Sequence, residues 1–269
     1  MNNLTKAGRL FFALGIIGLG VLSIIKGDFI VGRPPGWPAG MSGSAFWASF
    51  AGTILIITGI AVIGYKKAGV AALATGVLIL FYSFIARHLV VMAGSPLEAD
   101  LWAINAYKTL ALSGGAFIVA ASFFKENGQN GYKFISNKAL ILTGTIFISL
   151  FFIIGGSAHF KFDQFVFNLI PSYIPFHVFW TYFCGIALIA GGIGLLIKPV
   201  RYWAALLSAW MVLGWFVLLH IPRVIAAPND PSDRMGLFES LAISGVLFVL
   251  SVLFSGENSI KRNTVGQPL

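Results

Sequence analysis

The 269-residue chain is 58% hydrophobic and only 10% charged, with a mean hydropathy of +0.88. Soluble domains carry roughly 25% charged residues, so a soluble fold is excluded and the bilayer is the expected solvent. The net charge of +9 could mean a nucleic-acid partner, but the basic residues are spread over short segments between apolar runs, with no Arg-rich helix and no RNA-binding motif, so nucleic acid is excluded as well.

Eight apolar stretches are long enough to cross a membrane: about 9 to 25, 44 to 64, 68 to 91, 103 to 124, 138 to 156, 177 to 197, 201 to 221 and 236 to 255. The expected fold is therefore an all-α integral membrane protein of eight transmembrane helices. The first stretch follows Lys6 and Arg9 as a secretory signal would, yet no small-x-small cleavage pattern precedes Lys26. It also has a counterpart deep in the chain, and it is read as an uncleaved span.

That counterpart belongs to an internal repeat. Phe46-Trp47 reappears as Phe179-Trp180, the segment from Asp28 to Pro38 before the first parallels Asp163 to Pro175 before the second, and Tyr107 to Gly114 parallels Phe238 to Gly245. The predicted organisation is a four-helix repeat over 1–127, a linker over 128–137, a second four-helix repeat over 138–256 and a cytoplasmic tail over 257–269. The two Pro-, Gly- and aromatic-rich segments are too apolar for free loops and too broken for spans. They are expected as re-entrant or interfacial pieces above a polar vestibule, with Trp37 and Tyr173 at headgroup level.

Orientation follows from the loops. One face collects Lys6, Arg9, Lys66, Lys67, Lys125, Lys133, Lys138, Lys198, Arg201, Lys261 and Arg262 against only Glu126 and Glu257. The other collects Lys26, Arg33, Arg87, Lys108, Lys161, Arg223 and Arg234 with the remaining acids, Asp28, Glu98, Asp100, Asp163, Asp230, Asp233 and Glu239. The positive-inside rule places both termini in the cytoplasm and the second face outside. All four histidines, His88, His159, His177 and His220, fall on that outer face, and function is expected there.

Lys108 and Glu239 form the sharpest constellation. They occupy equivalent places in the fourth and eighth spans, each six residues beyond an expected surface residue, Trp102 and Asp233, hence about 9 Å inward. A lone charge near the bilayer centre costs about 2.5 to 3.5 kcal/mol, so such residues face a bundle interior and find partners. Two readings stand side by side: a structural pair, and a pair lining a ligand or proton site. Around them, Arg87-His88 ends the third span and His220 precedes Pro222-Arg223 at the end of the seventh, where capping of a helix C-terminus is one account and a haem ligated by one imidazole from each repeat another. No other haem signature accompanies them, which weighs against haem. His159 is expected to cap the fifth span or approach Asp163, and His177 flanks the same segment. The histidine spacings give no metal pattern, so no metal is assigned.

Cys184 is the only cysteine. Its apolar setting predicts a buried thiol behaving as a small hydrophobe, and an intramolecular dithiol relay is excluded. Gly52, Gly59, Gly76, Gly114 and Gly115 in the first half and Gly185, Gly191, Gly192, Gly194 and Gly245 in the second predict close helix packing.

The run Gly155-Gly-Ser-Ala-His159-Phe-Lys-Phe-Asp163, then Ile170-Pro-Ser-Tyr-Ile-Pro175, Phe179-Trp180 and Leu219-His220-Ile-Pro-Arg223 resembles the DoxX-like family of bacterial membrane proteins. The second half carries the likeness and the first looks like a diverged copy, so the whole resembles a fused tandem pair. The resemblance implies a four-helix unit, location in the bacterial inner membrane and, for some members, a link to quinone-coupled oxidation of sulfur compounds or to other membrane redox complexes with partner redox subunits. The lone Cys184 departs from any scheme that needs paired thiols. Three functions stay open: a subunit of a quinone-linked redox system, a non-catalytic accessory protein that binds lipid or a small molecule, and a transporter. Whether the chain is an enzyme stays open with them.

Overall fold

The computed structural model describes residues 2–36, 43–90 and 99–265, and the side chains of all of these but 99–103 and 256–265. Trp37, with its expected headgroup position, and Glu98 lie outside the described residues, as do the side chains of Asp100, Trp102, Glu257, Lys261 and Arg262.

Among the described residues there are nine helices: α1 Asn3–Lys26, α2 Ser44–Gly64, α3 Ala68–Leu89, α4 Ala99–Glu126, α5 Asn137–Lys161, the short α6 Asp163–Leu169, α7 His177–Leu196, α8 Arg201–Ala226 and α9 Pro231–Val265. All but α6 contain a window long and apolar enough to cross a membrane, and the chain is a multi-pass α-helical membrane protein. The only strands described are Gly131–Tyr132 and Ile135–Ser136, which form a hairpin between α4 and α5.

The helices outrun the apolar stretches at several ends, because capping rather than hydrophobicity ends a helix. Asn2 accepts a hydrogen bond from the Leu4 amide at 2.9 Å and starts α1 ahead of Lys6 and Arg9. Gly27, at φ +65°, stops it. The C-terminal turns of α3 (Ile79–Leu89) and the Phe216–His220 part of α8 are π-helical, which widens the backbone beside Arg87-His88 and at His220.

Neighbours along the chain pack as antiparallel pairs, α1 on α2, α2 on α3, α3 on α4, then α5 on α7, α7 on α8 and α8 on α9. Across the middle, α1 lies against α9, α5 against α4, and α4 against α9. Helices α4 and α9 are thus the central pair, with 83% of their spanning windows buried, against 22% for α8. Glycines set the approach. A Cβ added to Gly8 would stand 2.5 Å from the Gly245 carbonyl between α1 and α9, and one on Gly144 2.3 Å from the Gly114 carbonyl between α5 and α4. Gly20 with Gly52, and Gly156 with Gly185, make the same backbone contact between α1 and α2 and between α5 and α7. Small residues let apolar helices approach closely where lipid supplies no hydrophobic driving force between them. The glycines singled out in the sequence serve this purpose: besides Gly52, Gly114, Gly185 and Gly245, a Cβ on Gly76 or Gly192 would come within 3 Å of a carbonyl of the neighbouring helix, and one on Gly59, Gly115, Gly191 or Gly194 within 3 Å of a neighbouring side chain.

The two broken segments differ. Asp28–Pro35 is swallowed by the first four helices, with Phe29 and Val31 fully buried and Phe29 edge-on to Tyr82 at 4.8 Å. It is a plug rather than an interfacial piece. The segment after α5 stays at the periphery as α6 and a turn through Pro171–Pro175, with Phe165, Tyr173 and Phe176 exposed. The Tyr173 hydroxyl hydrogen-bonds to the Leu218 carbonyl.

Candidate functional site

Lys108 and Glu239 meet where α4 crosses α9. The Lys108 Nζ lies 2.7 Å from the Glu239 Oε2, with only 13% and 4% of the two side chains exposed. The other carboxylate oxygen accepts the Gly32 amide at 3.2 Å. Both oxygens are therefore occupied, one by a cation and one by the plug, which is what a buried carboxylate requires. Lys108 retains hydrogen-bonding capacity beyond its one ion pair, since an ammonium carries three donors.

The plug is tied down by polar groups of the first four helices. Arg87, 2% exposed, pairs with Asp28 through two nitrogens at 2.8 and 3.1 Å and donates to the carbonyls of Phe29 (2.8 Å) and Pro35 (2.7 Å). Ser83 donates to the Val31 carbonyl at 2.7 Å, and Thr109 reaches the Gly32 carbonyl at 3.4 Å. Gly32 is required twice over: its φ is +75°, and a Cβ there would fall 1.8 Å from the Thr109 Oγ1. His88 is sealed behind this layer, 1% exposed, with Nε2 3.1 Å from the Thr109 hydroxyl. Arg87 and His88 lie in the last turn of α3, as expected, and their side chains reach outward from it: Arg87 anchors the plug and His88 meets Thr109 of α4.

In the second half the corresponding space is open. A cavity of about 300 Å³ lies among α4, α5, α6, α8 and α9. Its polar side is Lys108, Glu239, Asn105, Ser240, Arg33 and His220, and its apolar side includes Phe151, Phe152, Phe162, Phe165 and Trp215. His220 rests against Gly236, where any Cβ would come within 2.7 Å of its ring, and its buried Nδ1 meets no hydrogen-bond partner. His159 also lines the cavity, but its Nδ1 is 2.8 Å from the Thr181 carbonyl. It ties α5 to α7 and neither caps α5 nor reaches Asp163.

The other candidates lie apart from the cavity. Asp163 accepts the Tyr182 hydroxyl at 2.9 Å. His177 Nε2 stands 3.2 Å from the Pro171 carbonyl, bracing the turn. Arg223 pairs with Asp233 at 2.7 Å and donates to the Leu169 carbonyl at 3.0 Å, which fastens the end of α6. Cys184 is half-buried rather than buried. Among the described residues no group of three or more His, Cys, Asp or Glu side chains is placed to hold a metal ion.

Three cavity residues carried a readable signal that the sequence reading passed over. Asn105 and Gly236 stand three residues before Lys108 and Glu239, on the same helix faces, and Ser240 follows Glu239. Arg33 carried none, because its place depends on the left-handed turn that it makes with Gly32, at φ 53° and 75°. Set against known proteins, the chain matches no family model, no curated protein and no solved structure.

Proposed function

We propose that this protein is a bacterial inner-membrane, DoxX-like protein of two fused four-helix units that binds the headgroup of a quinone in the cavity beside Lys108 and Glu239, as a subunit of a membrane redox system. The carrying observation is the cavity itself: about 300 Å³, aromatic on one side, and closed on the other by a buried ion pair with a histidine whose Nδ1 is unpartnered. That volume stands at the lower end of small-molecule sites, enough for one ring and the start of a tail. A Lys108 ammonium proton can reach a quinone carbonyl oxygen, and the unpartnered Nδ1 of His220 is a second polar atom available to a bound headgroup. The two-unit reading is supported by the packing, since the glycine contacts α1–α9 and α5–α4 correspond, as do α1–α2 and α5–α7. The excess of basic residues at the end where α1 begins supports a cytoplasmic N-terminus.

A second reading, an accessory protein holding a lipid or another small molecule without turnover, is favoured by one observation. His88 is sealed away from the cavity, leaving His220 with no second imidazole from the first half. Solvent extraction and visible absorption of the purified protein separate the two. Quinone recovered from the wild type and lost from Gly155→Leu, which fills the cavity from α5, is the expected result. A lipid in its place selects the accessory reading, and equal recovery from both proteins contradicts the site.

A further inference from the structure

The cavity beside Lys108 and Glu239, at about 300 Å³, takes one ring and the start of a chain, so the rest of a lipid-soluble ligand has to leave it. Its walls are not equally closed. On the floor Phe152, Leu188, Val212 and Ile243 are each 5% exposed or less. On the α9 side Gly236 and Ser240 are buried beside Glu239. The α5 and α6 walls differ: among the described residues that line the cavity Phe165 is the exposed one, at 56%, and Phe151, Gly155, Ala158 and Phe162 are half-buried.

Phe151, Gly155 and Ala158 of α5, with Phe162 at its C-cap, recur at steps of four, three and four, which sets them in one line along the helix. Between the two phenylalanines that line carries only a glycine and an alanine. A Cβ added to Gly155 would meet only the Phe151 ring, at 3.7 Å, whereas one on Gly156 would stand 2.7 Å from the Gly185 carbonyl. Gly156 therefore serves helix packing and Gly155 does not; its effect is a bare strip on α5 with an aromatic ring at each end. Helix α6 roofs the strip. Phe162, Phe165 and Val166 line the cavity, while Gln164 and Asn168 are exposed. The roof is pinned at both ends, by the Tyr182 hydroxyl on Asp163 at 2.9 Å and by Arg223 on the Leu169 carbonyl at 3.0 Å, so the exit runs beneath it along α5. A chain on that route stays among apolar groups, and each CH₂ kept from water is worth about 0.8 kcal/mol.

We propose that the ligand's apolar chain leaves the cavity along this strip, over Gly155 and Ala158 and past Phe165, into the lipid at the histidine-bearing end. The proposal rests on the reading of the cavity as a quinone site and names the class it takes: a quinone with a long alkyl or isoprenoid chain, drawn from the bilayer rather than from water. The test is photolabelling of the full-length protein in nanodiscs with a quinone that carries a diazirine on its alkyl chain. Labelled residues are located by mass spectrometry with and without excess untagged quinone. Labelling that the untagged quinone suppresses should fall within residues 151–166. The lipid-facing aromatics of α2, Phe46, Trp47 and Phe50, all more than half exposed, are the control, and their labelling should not change. Ala158→Phe, which narrows the strip, should lose the suppressible labelling and keep the tryptophan quenching produced by a quinone with no chain. Where Ala158→Phe lowers the thermal midpoint, the wild-type map decides alone. Suppressible labelling on another helix, or its survival in a stable Ala158→Phe protein, overturns the chain path and leaves the quinone site standing. No suppressible labelling anywhere in the wild type contradicts the quinone site itself, and the path with it.

Discussion

The Lys108–Glu239 pair joins the two halves of the chain by one buried contact. Its cost is set by what happens when one partner is removed: an uncompensated buried charge is destabilising by about 3 to 5 kcal/mol, whereas replacing both partners together costs less. Lys108→Met and Glu239→Gln should each lower the thermal midpoint in detergent, and the double variant should lose less than the sum. Additive losses would mean that the two do not interact. Glu239 also accepts the Gly32 amide, so its single variant should be the more damaging. Gly32→Ala should be destabilising by about 1 to 3 kcal/mol for its left-handed backbone alone, with the clash on Thr109 added. A midpoint equal to wild type for Gly32→Ala would show that the plug does not sit as described.

At the scale of elements, the contrast between the two broken segments was not legible in the sequence. Both read as Pro- and Gly-rich aromatic runs, yet Asp28–Pro35 enters its bundle and the segment after α5 does not. The difference lies in long-range partners. Arg87, Ser83 and Thr109 satisfy the carbonyls of the first segment, and pairing across 52 to 77 positions leaves no local pattern. By contrast, the spans were legible because apolar length is a local quantity, and the meeting of Lys108 with Glu239 because buried charges of opposite sign need partners. His88 and His159 stand in the last turns of their helices, but their partners on α4 and α7 were not legible for the same reason that the plug was missed. The plug makes a direct prediction. In a Cys184→Ser background, Val31→Cys should resist an impermeant maleimide and become reactive when Arg87→Met removes the anchor. Rapid labelling with Arg87 intact would mean that the segment is an ordinary exposed loop.

For the whole molecule, α4 and α9 form a buried spine around which one half is filled by its own chain and the other is hollow. The same spine forms one wall of the cavity at the histidine-bearing end. This arrangement needs the topology that the basic residues imply. Reporter fusions after Lys67 and after Lys133 should read cytoplasmic and one after Asp100 external. An external signal at Lys133 would reverse the faces and remove the cavity from the outer side. The central claim, that the hollow half holds a quinone headgroup, is tested most directly by titrating the purified protein with a short-chain quinone and following tryptophan fluorescence, since Trp215 lines the cavity. Saturable quenching in wild type that is abolished in Gly155→Leu, with the variant's thermal midpoint preserved, is the predicted result. Quenching that is unsaturable, or identical in the two proteins, would contradict it.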